Sequence, residues 1–217
     1  MERHSLKRRG NQALNRKTFS LSQMIEFEVP EGAPAEFLLA MESLRNSSVR
    51  DELIIEQIAA PGKLAKFEVA FSANVDASAT DVASDLGTGR FVLLWDQDEP
   101  EPWHSRFRVI TFAKSPLETN IGADELISDV AWAWLTESLQ NRHADFIAEA
   151  GTATRIISSG YGALSNQSDH AELEIRASWS PINTNAAAHL EAWQDLVCIM
   201  SGFPNLPTGV TSLGISR

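Results

Sequence analysis

Cysteine is nearly absent from this sequence: Cys198 is the single thiol among 217 residues. One thiol cannot form an internal disulfide bond, and this one lies in an apolar helical stripe, which favours a reducing compartment and a packing role. No apolar run approaches the roughly 18 residues of a transmembrane helix, and no apolar signal-peptide segment follows the basic N-terminus. We therefore expect a cytoplasmic protein that does not bind a membrane.

The usual catalytic and cofactor motifs are also missing. The sequence has no G-x-x-x-x-G-K-[ST] phosphate loop, no H-E-x-x-H zinc motif and no G-x-S-x-G nucleophile elbow. Gly87 and Gly89 lack the third glycine and the following helix of a dinucleotide site, and the five histidines are dispersed. The sequence therefore predicts no catalytic residue, no metal ion and no cofactor.

The charge is distributed unevenly along the chain. The net formal charge is −11, yet residues 1–17 carry +5, so the remainder carries −16. The basic side chains of this N-terminal segment, set against Glu2 alone, are Arg3, Lys7, Arg8, Arg9, Arg16 and Lys17. An acidic body repels nucleic acid, so any contact with nucleic acid is expected through this segment only.

Residues 1–23 lack a hydrophobic period and are expected to be a disordered basic tail. Two interpretations stay open for it: a solvated tail, including an extension upstream of a true start at Met24, or a basic arm that contacts phosphates or the acidic body. Residues 24–217 have the length and composition of one α+β domain with an irregular C-terminal tail.

The strongest local pattern predicts a core helix over 122–142. Apolar residues recur there on one helical stripe, which consists of Leu126, Ile127, Val130, Ala131, Trp134, Leu135 and Leu139. Two further helices are predicted, one from Pro34 to about Asn46 and one from Thr184 to Gly202.

Alternating hydrophobicity predicts about six strands between these helices. Two hairpins are expected over 53–75 and 89–113, and a further pair of strands over 146–158 and 170–180. The fold class is therefore α+β, with an antiparallel sheet and three helices in the order α-β-β-β-β-α-β-β-α. Helices cover one face of such a sheet, and the other face is solvated or contacts a partner.

The polar side chains expected on that other face include Arg106, Arg108, Glu174 and Arg176, together with Glu172. Two arginines in line could hold a carboxylate or a phosphate. Alternatively, the charges pair with one another across a solvated sheet, each pair contributing on the order of 0.2–1 kcal/mol.

Trp132 is the tryptophan of the core helix that points away from the centre of its apolar stripe. It either packs under a neighbouring segment or anchors a partner protein, because an uncovered tryptophan is costly.

Five segments together resemble a known family. They are GRFVLL at 89–94, FRVITF at 107–112, VAWAWLTE at 130–137, ELEIRASW at 172–179 and EAWQDL at 191–196. The chain is similar over about 29–213 to an actinobacterial family of uncharacterised proteins, domain-of-unknown-function family three thousand. The resemblance implies an actinobacterial cytoplasmic protein and supplies no activity and no catalytic residues.

The interpretation that we favour is a non-enzymatic protein-binding module, an adaptor or chaperone-like protein that contacts a partner or a second copy through the open sheet face or through Trp132. The predicted order resembles, at fold level only, secretion-chaperone modules, which dimerise and hold peptides. One alternative is a small-molecule-binding protein or enzyme with a pocket bordered by His104, Arg106, Arg108 and Glu174. Another is an RNA-associated factor that uses the basic N-terminal arm.

Overall fold

A computed structural model of the chain describes residues 25–79, 86–166 and 168–203. The expected basic tail and most of the expected irregular C-terminal tail lie outside these residues.

The described chain forms one antiparallel sheet with helices on one of its faces. The strands are β1 (Leu53–Ile58), β2 (Phe67–Val75), β3 (Thr88–Trp95), β4 (Phe107–Leu117), β5 (Phe146–Ser158) and β6 (His170–Pro181). The helices are α1 (Ala35–Arg45), the single turn α2 (Thr119–Gly122), α3 (Ile127–Asn141) and α4 (Ala186–Met200). This order confirms the predicted α+β fold, with α2 as a minor addition.

The sheet order is β1-β2-β3-β4-β6-β5, so β1 and β5 form its two edges. Every pair of neighbouring strands is antiparallel. The crossover comes after β4, where α2 and α3 carry the chain to the outer strand β5 before β6 returns beside β4.

The period of two places the apolar residues of each strand on the face that the helices cover. In β6 the apolar residues Leu173, Ile175 and Trp179 have no exposed surface. Helix α4 lies on the centre of this face, and its Trp193 ring contacts Phe91 of β3, with ring centroids 5.7 Å apart. Gly89 allows this close approach, because a Cβ there would lie 2.7 Å from Trp193 Cζ2.

The predicted core helix differs from α3 in its start and in its buried side. The chain turns between Gly122 and Ile127, and Leu126 and Val130 are 63% and 39% exposed. Helix α3 contacts α4, β5 and β6, so it buries Ile127, Ala131, Leu135, Ser138 and Leu139. The other side of the predicted stripe therefore faces solvent.

Candidate protein-binding surface

No helix of the described chain packs on the second face of the sheet. We call this the open face, and its centre is a row of directly paired residues that runs across all six strands. The row consists of Ile58, Ala70, Val92, Ile110, Ser178 and Ala150. Ile110 is 37% exposed and Val92 is half-buried. Ala70 is buried, so the accessible apolar groups at the centre of this face are Val92 and Ile110.

Two arginines flank this row on opposite sides. Arg90 is paired with Phe112 on one side of the Val92–Ile110 pair, and Arg108 is paired with Leu94 on the other. Their positions differ by four residues along the strands, which corresponds to about 14 Å. The open face therefore presents an apolar centre between two guanidinium groups.

Neither arginine makes an ion pair within the described residues. Arg108 donates hydrogen bonds to Ala148 O (2.8 Å), Ser180 Oγ (3.0 Å) and Ser178 Oγ (2.6 Å), which are all neutral acceptors. Burial lowers the pKa of Arg108 from its ordinary value. The Arg90 side chain is exposed and has no hydrogen-bond partner in the described chain. Both therefore keep a positive charge that no carboxylate compensates.

The other basic residues of the open face are paired with carboxylates. Arg176 Nε lies 2.6 Å from Glu174 Oε1, and its guanidinium stacks 5.3 Å from the ring centroid of Phe112. Lys114 Nζ lies 2.8 Å from Glu172 Oε2. At this end of the open face, the charges pair with one another, as expected for a solvated sheet. Arg90 and Arg108 do not follow this pattern.

The four residues expected to border one pocket do not lie together. Arg106 precedes β4 and bonds Glu36 of α1 at 3.3 Å instead of facing Arg108. It lies with His104 in a separate cleft of about 290 Å³, whose other lining residues include Glu36 and Glu99. Glu174 lies opposite Lys114 in the register of β4 and β6, six residues along β4 from Arg108. Arg106 and Arg108 therefore do not act as the expected pair, because the Arg106 side chain turns to Glu36 of α1.

Trp132 lies on the helix-covered side, close to the edge strand β5. A Cβ added to Gly151 of β5 would lie 2.5 Å from Trp132 Cζ3, so the indole packs directly on the glycine backbone. The residue remains half-buried. Trp132 thus has a packing partner and an accessible part beside the sheet edge.

A buried charge cluster joins α3, α4 and the segment after α1, and sequence reasoning missed it. Asp195 is 1% exposed and binds Arg142 Nε at 2.6 Å and Arg50 Nη1 at 3.2 Å. Glu191 and Glu52 pair with the same two arginines. Arg142 and Glu52 keep 31% and 28% of their side chains exposed, while the buried Asp195 links the two arginines and so holds these elements together. The only sequence signal for it is an aspartate within an apolar helix.

Burial shifts the pKa values of two further groups, Cys198 and His189. Burial raises the pKa of Cys198 to about 12, which keeps the thiol protonated and unreactive. Burial lowers the pKa of His189 to about 4, and its Nδ1 accepts a hydrogen bond from Trp179 Nε1 at 3.0 Å.

The described residues contain no group of three His, Cys, Asp or Glu side chains placed to hold a metal ion. Within the same ranges no helix has the length and apolar character needed to cross a membrane. The arginines predicted for the N-terminal arm lie outside the described residues.

Comparison with known families gives a match that covers residues 33–211 and is described as "Protein of unknown function (DUF3000)". The chain belongs to this family. The matched range contains every helix and strand given above, so the DUF3000 domain includes the complete sheet and its covering helices. Neither curated proteins nor solved structures gave a significant match.

Proposed function

We propose that this DUF3000 protein is a cytoplasmic, non-enzymatic protein-binding module whose open face holds a segment of a partner protein. The observation that carries the proposal is the Val92–Ile110 pair between Arg90 and Arg108, two cations without a carboxylate partner in the described chain. Exposed apolar groups rimmed by arginine are a common composition of protein-binding surfaces.

Charge complementarity defines the chemistry of the partner. A segment that lies along the strands in an extended conformation directs residues i, i+2 and i+4 towards the face. Carboxylates at i and i+4 span the about 14 Å between the two arginines, and an apolar side chain at i+2 covers Ile110. The proposed ligand therefore has the pattern acidic-x-apolar-x-acidic.

A library of displayed random peptides, selected against the full-length chain, tests this proposal. We expect enrichment of the acidic-x-apolar-x-acidic pattern and loss of binding when the surface is changed by Ile110→Glu, which adds a repelling carboxylate at its centre. Leu39→Glu is the matched control, because Leu39 is 61% exposed on α1, away from the open face. Peptides without this pattern, or peptides that bind Ile110→Glu as well as wild type, would contradict the proposal.

The two other candidate functions have separate tests. The cleft beside His104 contains Arg106 as a possible site for a small anion, but Glu36 already pairs with Arg106 there. A thermal-shift screen of phosphorylated and carboxylated metabolites reports on it, since a ligand of the folded form raises the melting temperature. Binding of RNA through the N-terminal arm would disappear with added salt and with deletion of residues 1–23.

A further inference from the structure

The edge strand β5 differs from the other edge of the sheet in its length and in its cover. β1 has six residues, and Gln57 exchanges hydrogen bonds with the backbone N–H and C=O of Glu28, at 2.8 Å and 3.0 Å, along that edge. β5 has 13 residues, and the sheet order leaves its outer side without a neighbouring strand among the described residues. A long edge strand with unpaired backbone groups is a template for another strand.

The sequence of β5 identifies which strand fits this edge. The segment contains no proline and no lysine, the residues that commonly block an edge. Its two charged residues are Glu149 and Arg155, which lie on the same face of the strand at equal distances from Thr152. Thr152 is also the midpoint of Phe146–Ser158. The strand is therefore self-complementary about its own centre.

We propose that two copies of the chain dimerise through antiparallel pairing of their β5 strands about a two-fold axis at Thr152. This register places Glu149 directly opposite Arg155 of the second copy, and the reciprocal pair forms by symmetry. The small residues Ala150, Gly151 and Ala153 near the axis do not obstruct the approach of the second backbone. The two sheets join into one of twelve strands, which presents two open faces on the same side.

Both charges are available for this contact. Glu149 is exposed and makes no hydrogen bond or ion pair within the described chain. Arg155 uses Nη1 to bind Asp124 O at 2.8 Å, and its other N–H groups remain for a carboxylate. Glu149 lies inside the bulge between Ile147 and Ala150, and Ala150–Ser158 pairs regularly with β6.

Trp132 supports the same axis independently of the charges. Its indole packs on Gly151, the neighbour of Thr152, and remains half-buried in the single copy. Pairing of the β5 strands brings the second copy to the accessible part of this ring. A rigid aromatic group beside a two-fold axis is a common anchor of dimer interfaces. The dimer therefore gives Trp132 a partner contact on the helix-covered side of the sheet.

A charge exchange tests this register. The variants Glu149→Arg and Arg155→Glu each place like charges opposite one another in a homodimer, so we expect dimerisation at least about tenfold weaker than wild type at low ionic strength. An equimolar mixture of the two variants restores both opposite-charge pairs, and we expect it to form a heterodimer with an affinity close to that of wild type. Sedimentation velocity of the full chains over a concentration series measures all three states.

Glu56→Arg provides the matched control, because it reverses a charge on the opposite edge strand β1 and should leave the dimer unchanged. Circular dichroism confirms that each variant is folded. The proposal is overturned by a wild-type chain that stays monomeric at the highest concentration, by single variants that dimerise as tightly as wild type, or by a mixture that forms no heterodimer.

Discussion

The strands alternate in the same way on both faces of the sheet, but the apolar side chains are buried on one face and partly accessible on the other. On the helix-covered face, Trp193, Phe91 and Trp179 are fully buried, and the side chains pack against each other. On the open face the Val92–Ile110 pair stays accessible, and Arg90 lacks a carboxylate partner within the described residues. One face uses its apolar surface to hold the fold, and the other keeps it available, which is the feature expected of a binding surface.

The largest expected difference in stability between the two faces comes from replacing a phenylalanine on each of two neighbouring strands. Phe91 of β3 is fully buried against Trp193, whereas Phe112 of β4 is half-buried on the open face. We expect Phe91→Ala to reduce the free energy of unfolding by about 4 kcal/mol, since it leaves a cavity under α4. Phe112→Ala should cost about 1 kcal/mol, mostly from the lost contact with Arg176.

Urea denaturation at neutral pH measures both values. Equal losses for the two variants would mean that the open face also holds the fold, and the contrast between the faces would be lost.

The next largest difference in stability is expected when a carboxylate is neutralised on each side of the sheet. Asp195→Asn should reduce the free energy of unfolding by about 3 kcal/mol, because it leaves Arg142 and Arg50 with a partly uncompensated charge in a buried site. Glu172→Gln removes the carboxylate paired with Lys114 on the open face and should cost under about 1 kcal/mol. Parallel urea titrations at low and high salt compare them, and an effect of Asp195→Asn as small as that of Glu172→Gln would contradict the structural role of the cluster.

Acid should lower the free energy of unfolding, because His189 is buried on the helix-covered side of the sheet. Burial lowers the pKa of this imidazole from 6.5 to about 4 in the folded chain, so the unfolded chain binds the proton more tightly. Stability is therefore lost as the pH falls below the unfolded value, by about 2 kcal/mol between about pH 7 and pH 5. Protonation also places an N–H opposite the Trp179 Nε1 donor.

His189→Gln keeps an acceptor for Trp179 without this titration. Thermal unfolding across the same pH range should show a smaller decline for the variant than for wild type. Identical declines would assign the acid sensitivity to other groups.

The smallest effect on stability is expected at Arg90. Arg90→Glu should change the free energy of unfolding by no more than about 0.5 kcal/mol, because the side chain is exposed and unpaired within the described chain. The same change should weaken binding of an acidic-x-apolar-x-acidic peptide by about tenfold, measured by fluorescence anisotropy. A large loss of stability, or unchanged affinity, would remove Arg90 from the proposed surface.

The sequence was sufficient for the fold because strand alternation is a local signal. The bounds of β5 and the position of β6 agree with expectation. The rotation of α3 was not predictable, since a stripe that includes Val130 and Leu135 does not reveal which part of it faces the sheet. Alternation also placed the Arg106 side chain on the open face beside Arg108. In the structure β4 begins at Phe107, and the Arg106 side chain contacts Glu36.

The candidate surface was only partly predictable. The position of Arg108 on the open face followed from alternation, but its neutral partners Ser178 and Ser180 depend on strand order, which the sequence does not encode locally. Arg90 was not identified, because it carries no motif and its importance comes from the row of Val92 and Ile110 beside it. Asp195 was missed because a single acidic residue gives no sign that two distant arginines bind it.

Methyl NMR of the full chain shows which face of the sheet binds a peptide. Ile, Leu and Val methyl groups are labelled, and an acidic-x-apolar-x-acidic peptide obtained by selection is added. We expect the largest changes in methyl chemical shift at Ile58, Val92 and Ile110 on the open face. The methyl signals of Leu173 and Ile175, which lie under the helices, should not change. Shifts confined to the helix-covered side, or no shifts at the Val92–Ile110 pair, would contradict this expectation.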